Sequence, residues 1–189
     1  MKPVIVLDID GVLVDFVLGF TTMIASIEGK PSYTAYSTGA QLSWDFPFSK
    51  ETIDTAWRRI KDSTEFWAVL PPLVTQVELD EIKALSSLYT VEYVTSRVGD
   101  TCLQQTQRWL SNHGLRGDVT VTARKVEFIH RLRPIAMIDD KPDVITKALT
   151  QGLPCYTRDW AYNREIAGPR VSSITEFTHR VKLLTTVGV

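Results

Sequence analysis

Short apolar runs of β-branched and aliphatic residues recur along this chain with helix-patterned stretches between them, and that alternation restricts the fold more than any other feature. Val4-Ile5-Val6-Leu7 is the first run, unbroken and suited to a strand buried on both faces. Further strand candidates are Tyr89 to Thr95, Val119 to Thr122, Ile135 to Ile138, and the short Pro154-Cys155-Tyr156. Helices are expected over 77–88, 101–113, 142–150 and 174–185, with another opening at Lys125. Strand and helix taken in turn imply an α/β protein with a parallel sheet covered by helices on both faces.

The interval between Leu13 and Leu73 breaks the rhythm. It is too long for one crossover and contains no good buried strand. It holds helix candidates at 15–28 and 50–62, joined through a loop at 29–43 rich in Gly, Pro, Ser, Thr and Tyr. Aromatic residues crowd it, among them Phe16, Phe20, Trp44, Trp57, Phe66 and Trp67. We read residues 15–73 as a small helical cap inserted after the first strand, and 1–14 with 74–189 as the core domain.

Composition narrows the class further. A chain of 189 residues can bury a proper core, and 44% hydrophobic with 23% charged residues is the make-up of a soluble globular protein. The formal net charge of -1 provides no strong field to gather nucleic acid or an anionic membrane. No apolar segment approaches the roughly 20 residues that span a bilayer, and the N-terminus lacks a signal-peptide pattern. Cys102 and Cys155 are far apart without metal-type spacing, which fits buried free thiols in a reducing compartment. The cytoplasm is the expected address.

Chemistry concentrates at the ends of the strand candidates. The first runs into Asp8-Ile9-Asp10-Gly11, and the fourth into Asp139-Asp140. Carboxylates at the end of a buried strand are costly unless they serve a cation or a reaction. An acidic turn is the alternative, because Asp and Gly are common in turns and Asp can cap a following helix. In open parallel sheets, however, ligands bind at the carboxyl ends of strands, and Thr95 falls there with both acidic pairs. Asp15 reads as a cap or lining residue of the first cap helix. His113, His130 and His179 lie on expected helices without partner spacing.

The ordered set Asp8/Asp10, Thr95-Ser96-Arg97, Lys125 and Asp139/Asp140 resembles the haloacid-dehalogenase-like (HAD) hydrolase superfamily over essentially the whole chain. Within it the chain is most similar to the 5'(3')-deoxyribonucleotidase branch. Asp8 to Phe16, Phe66-Trp67-Ala68-Val69-Leu70-Pro71-Pro72-Leu73 and Ile138 to Asp143 carry that finer resemblance, and Trp160 to Arg164 resembles a late loop on the active-site side of those enzymes. One position departs from it: Arg97 stands where the branch usually has proline.

The resemblance implies a Rossmann-like three-layer sandwich and a Mg²⁺-dependent phosphatase. A carboxylate approaching a phosphate ester meets like-charge repulsion, about 4 kcal/mol for two unit charges about 4 Å apart at an effective dielectric of about 20. A hard cation among oxygen ligands answers that repulsion. Asp8 would be the nucleophile that forms an aspartyl-phosphate, and Asp10 the acid and then the base. By the family pattern Asp8, the Asp10 backbone carbonyl and Asp139 hold the metal, while Asp140 orients other groups or contributes through a water. Lys125 supplies positive charge to the phosphoryl oxygens and the nucleophile, with Arg124 the alternative. Thr95 and Ser96 offer donors to the phosphate, and Arg97 can touch phosphate or stack on a base, with a surface arginine an equal alternative. Phe66, Trp67 and Trp44 are candidates to enclose a nucleobase, with packing in the cap's own core the alternative, whereas Phe20 and Trp57 read as core of the cap.

The expected substrate is a small phosphate ester, a nucleoside monophosphate. Phosphatase action on polynucleotide ends or another phosphometabolite is the alternative, supported by the basic face of Arg124, Lys125, His130, Arg131 and Arg133, which a solvated helix explains as well. A non-catalytic binding protein is a third reading. The sequence leaves homodimer formation open.

Overall fold

In the computed structural model, which describes residues 2–31 and 48–186, six strands form one parallel sheet in the order β3-β2-β1-β4-β5-β6. They are β1 (Val4–Leu7), β2 (Thr90–Thr95), β3 (Asp118–Val121), β4 (Ala136–Asp139), β5 (Cys155–Arg158) and β6 (Arg170–Val171). The helices of the described residues are α1 (Phe16–Glu28), α2 (Lys50–Asp62), α3 (Gln76–Leu88), α4 (Cys102–Asn112), α5 (Lys125–Leu132), α6 (Pro142–Thr150) and α7 (Ile174–Thr186). Short 3₁₀ turns cover Phe66–Ala68 and Ala161–Asn163.

The three layers follow from the period-2 alternation of the central strands. Ile5 and Leu7 of β1, with Val91 and Tyr93 of β2, pack against Leu79, Ile82 and Leu85 of α3, Trp109 of α4 and Phe177 of α7. Val6, Val94 and Met137 point the other way, onto Val126 and Ile129 of α5 and Ile145 and Ala148 of α6. Ile5, Val6 and Leu7 have no exposed surface. Burying each such side chain contributes about 1.5–3 kcal/mol, so the central strand is fixed from both faces.

Between β1 and β2 the chain runs through α1 and α2, which pack on each other. Asp15 caps α1 by accepting the Leu18 N–H at 2.8 Å, and Gly29 closes the helix in a left-handed conformation. Ser49 caps α2 through the Thr52 N–H at 3.1 Å. Phe20, Ile24 and Ile60 are continuous with the apolar cluster on the α3/α4/α7 face of the sheet. The returning segment is stapled to α4. Gln105 accepts the Trp67 N–H at 2.8 Å and donates to the Ser63 carbonyl at 2.7 Å, while Trp109 Nε1 donates to the Leu70 carbonyl at 2.8 Å.

Strand register sets up the site. Leu7 pairs with Ile138, and the Asp8 N–H donates to the Ile138 carbonyl at 3.0 Å. Residues 8 and 139 therefore leave adjacent strands side by side. The sheet's connections diverge from this place, toward β2 and β3 on one side and β5 and β6 on the other. It is the switch point at which open α/β sheets bind ligands.

Candidate active site

After β1 the chain folds into a tight turn whose geometry is set by backbone bonds. Leu13 and Val14 donate to the Ile9 carbonyl at 2.8 and 3.0 Å, and Gly11 donates to the Val14 carbonyl at 3.0 Å. The turn is anchored to the returning segment, with Asp15 N–H donating to Pro71 O and Leu73 N–H to Leu13 O, both at 2.8 Å. Gly11 has φ +75, and a Cβ there would lie 2.1 Å from Asp140 Oδ2. Only glycine lets the two acidic loops approach this closely.

Four charged side chains converge behind that turn. Lys125 Nζ lies 2.7 Å from Asp8 Oδ1 and 2.7 Å from Asp139 Oδ2. Carboxylate oxygens of Asp8, Asp139 and Asp140 all fall within 4.8 Å of one another, and all three residues are buried. Burial first, and then Asp139, hold the Asp8 carboxyl well above the usual carboxylate range, with Lys125 opposing them. The same two causes push Asp140 up to about 7, against its bond from the Tyr162 hydroxyl. Burial alone would lower the Lys125 ammonium, but Asp139 and Asp8 reverse this and raise it.

These residues fit a hard cation. Three buried carboxylates face one ammonium, an excess of negative charge that proteins tolerate when a metal offsets it. Asp139 Oδ2 lies 2.7 Å from Lys125 Nζ, and among the described residues no further donor reaches it. Both contacts of Asp8, from Lys125 and from the Ile9 N–H at 2.7 Å, use Oδ1. The donor set is all oxygen, which suits Mg²⁺.

Asp10 stands apart from this cluster. Its carboxylate accepts Arg97 Nη2 on Oδ1 at 2.9 Å and Arg97 Nε on Oδ2 at 3.0 Å, and the Thr95 hydroxyl donates to Oδ2 at 3.2 Å. Thr95 thus borders the cavity but directs its hydroxyl to Asp10 rather than to open space. Ser96 donates to the Thr122 carbonyl at 3.2 Å. A cavity of about 260 Å³ opens over the site, bordered on its polar side by Asp8, Asp10, Ser96, Lys125 and Asp140. Phe16, Trp57, Trp67, Val98 and Val144 form its apolar wall.

Several expectations change here. Arg97 was expected to meet phosphate or base. The residue borders the cavity, but its side chain is fully enclosed and spent on Asp10 and its neighbours. Trp67 stacks on Phe16 at 5.8 Å, carries the Arg97 guanidinium 4.9 Å above its ring and donates Nε1 to Val98 O at 2.9 Å. It borders the cavity with 2% of its surface exposed. Phe66 packs edge-on against Trp67 at 4.9 Å within the core and does not border the cavity. Trp57, expected in the core of the cap, stacks on Phe16 at 5.7 Å and does border it. Trp44 lies outside the described residues. Lys125, not Arg124, reaches the carboxylates; Arg124 is an exposed residue preceding α5.

The loop after β5 completes the site from the far side. Trp160 Nε1 donates to the Gly11 carbonyl at 2.7 Å, and Tyr162 donates to Asp140. Asn163, fully buried, donates to the carbonyls of Asp140 and Arg158, each at 2.8 Å, and accepts from Trp160 N at 3.1 Å. Asn163 is a loop hub, and Asp159 accepts Arg170 at 2.9 Å. The phenol of Tyr162 had no signal of its own in the sequence beyond its place in the Trp160 to Arg164 stretch.

A model of the family described as 5' nucleotidase, deoxy (pyrimidine), cytosolic type C matches residues 2–184. The chain belongs to that family. Its membership makes the protein a HAD-type phosphatase, a phosphoric monoester hydrolase. No curated protein sequence matches it. Among solved structures, a HAD-like hydrolase from Streptococcus pneumoniae superposes with TM-score 0.67 at 19% identity, covering 95% of this chain and 98% of that one. A HAD family hydrolase from Deinococcus radiodurans with bound phosphate and sodium gives 0.59 at 13%, covering 96% of each. A HAD-hydrolase of Bacillus subtilis bound to magnesium gives 0.59 at 13%, covering 96% and 99%. At these identities the likeness is one of fold. Among the described residues no helix is long and apolar enough to cross a membrane.

Proposed function

We propose that the protein hydrolyses nucleoside monophosphates, deoxyribonucleotides in particular, by a Mg²⁺-dependent route through an aspartyl-phosphate on Asp8. The observation that carries this reading is the placement of Asp8, buried at the end of the central strand, 2.7 Å from an ammonium shared with Asp139 and open to the cavity. The family match and the phosphate-bound and magnesium-bound relatives support it.

Mg²⁺ would be held by the side chains of Asp8 and Asp139 and the Asp10 backbone carbonyl, and when bound supplies the positive charge that lets two anions meet. Asp8 attacks phosphorus; as its new O–P bond forms, the bond to the ester oxygen breaks and Asp10 gives that oxygen a proton. Asp10, now a carboxylate, takes a proton from water, whose oxygen attacks the phosphoryl group and returns Asp8. Lys125 holds Asp8 in place and offsets charge on the transferring oxygens. Asp140, fixed by Tyr162 and Asn163, orients the second acidic loop. The wall of Phe16 and Trp57 receives the apolar face of the leaving nucleoside, and residues 15–73 act as a cap that keeps bulk water out. We place the protein in the cytosol, in keeping with the family description and two buried free cysteines.

The test is phosphate release from a panel of deoxyribonucleoside and ribonucleoside monophosphates, sugar phosphates and 3'-phosphorylated oligonucleotides. The wild type should prefer the deoxyribonucleotides with Mg²⁺ and lose activity in chelator, and Asp8→Asn should be inactive. Preference for sugar phosphates or oligonucleotides removes the substrate assignment, and release by Asp8→Asn equal to wild type removes Asp8 from the mechanism.

A further inference from the structure

Arg97 borders the cavity and faces an acid of the same protein, Asp10. Its side chain has no exposed surface. The fork formed by Nε and Nη2 spans both oxygens of Asp10, at 3.0 and 2.9 Å. Nη1 is 3.0 Å from the Thr106 hydroxyl on α4 and 3.5 Å from the Trp67 carbonyl, and the guanidinium lies over the Trp67 ring at 4.9 Å. Thr106 is itself fixed, donating to the Cys102 carbonyl at 2.7 Å. The guanidinium is thus immobilised from α4 and from the Phe66–Ala68 turn, and it passes that constraint to a carboxylate whose side chain is 23% exposed.

We propose that Arg97 is a positioning residue for Asp10 and thereby a determinant of which esters the enzyme cleaves well. The inference rests on the phosphatase reading above. Proton delivery requires the acid within hydrogen-bond reach of the ester oxygen. A bidentate arginine fixes both the place and the plane of a carboxylate, which a single-point cation does not. Esters whose leaving oxygen must be protonated, such as nucleoside monophosphates, depend on that placement; 4-nitrophenyl phosphate, which expels a stable phenolate, does not.

The experiment measures kcat/KM for the Mg²⁺-loaded full chain on 4-nitrophenyl phosphate, phenyl phosphate and a deoxyribonucleoside monophosphate, in wild type, Arg97→Gln, Arg97→Lys and Thr106→Val. This ratio reports only steps through departure of the leaving group, so hydrolysis of the intermediate does not enter. General acid catalysis contributes typically about 10²–10⁴-fold. Arg97→Gln should therefore lose about 30-fold or more on the nucleotide and less than about 3-fold on the nitrophenyl ester, with KM nearly unchanged. Arg97→Lys should fall between, and Thr106→Val should show the same pattern more weakly. Equal losses on all three esters, or a raised KM with unchanged kcat, overturn the proposal. If Arg97→Gln gives no cooperative melt, Thr106→Val carries the test, and a loss there independent of leaving group overturns it equally. A wild type inactive on every ester defeats the phosphatase reading instead.

Discussion

Replacing Lys125 by methionine keeps a stem of similar length and removes its charge from the centre of the site. The ammonium is 5% exposed and 2.7 Å from both Asp8 and Asp139, so solvent and salt screen it little. Removing one partner of a buried ion pair costs about 3–5 kcal/mol. The stranded carboxylates, with oxygens within 4.8 Å of each other, repel by about 3 kcal/mol at an effective dielectric of about 20. A proton relieves that repulsion. Asp8 is already raised by burial and Asp139, with Lys125 opposing, so the substitution raises it further. The folded variant then holds a proton that the unfolded chain releases, and stability must fall as pH rises. In chelator the stability gap from wild type should be small near pH 4 and about 3–5 kcal/mol by about pH 8. At a urea m-value of about 2 kcal/mol/M, that gap is a midpoint lower by roughly 2 M. Phosphatase activity should fall about 10²–10³-fold. Urea unfolding at about pH 5 and about pH 8 decides the matter. An unchanged midpoint at the higher pH, or a deficit of the same size at both, would refute the charge argument.

Gly11→Ala forces a Cβ to within 2.1 Å of Asp140 Oδ2 at φ +75; left-handed strain of about 1–2 kcal/mol plus the displaced buried carboxylate should cost about 3–5 kcal/mol in urea unfolding, and wild-type stability with full activity contradicts it. Because Asp8 and Asp140 are both raised, Asp140 to about 7, metal-free protein should lose stability as pH climbs from about 4 toward about 7, by roughly 4 kcal/mol at most for Asp140. Mg²⁺ should flatten that decline by replacing the proton, and thermal melts that fall equally with pH in Mg²⁺ and in chelator argue against a cation site. Trp160→Phe removes the indole bond to the Gly11 carbonyl and should cost about 1 kcal/mol, or roughly 3 °C in melting temperature; a melt coincident with wild type shows that the loop needs no such tie.

The layered sheet was legible because its signals are local. Apolar runs of three to seven residues and helix spacing gave β1 to β5 and the helices to within about two residues, except α5, of which only the start was read, and Asp15 announced the cap it makes on α1. β6 escaped notice because Arg170–Val171 carries no pattern at two residues; it exists because β5 offers an edge to pair with. In the site, strand ends were visible as acidic punctuation, which marked Asp8 and Asp139, while the grouping of both with Lys125 rested on the family resemblance and left Arg124 as an alternative. The partners of Arg97 and Trp67 could not. Both side chains have several chemically reasonable uses, and the choice is made by Thr106, Phe16 and Asp10, which lie far from them in sequence or are brought near only by the turn after β1. Aromatic density told that rings would cluster, not which ring would keep a free face.

Among the described strands, the one that presents Asp8 precedes the other five along the chain and lies in the middle of the finished sheet, bonded to β2 on one flank and β4 on the other. During synthesis one of its edges can be covered once β2 has emerged, but the other stays open until residue 139 has followed. Nascent chains stopped short of that point have no means of assembling a reaction centre and carry an adhesive segment that other chains can pair with. The order of translation thus delays assembly of the acidic site until β4 has been made, and places a demand for chaperone protection on β1.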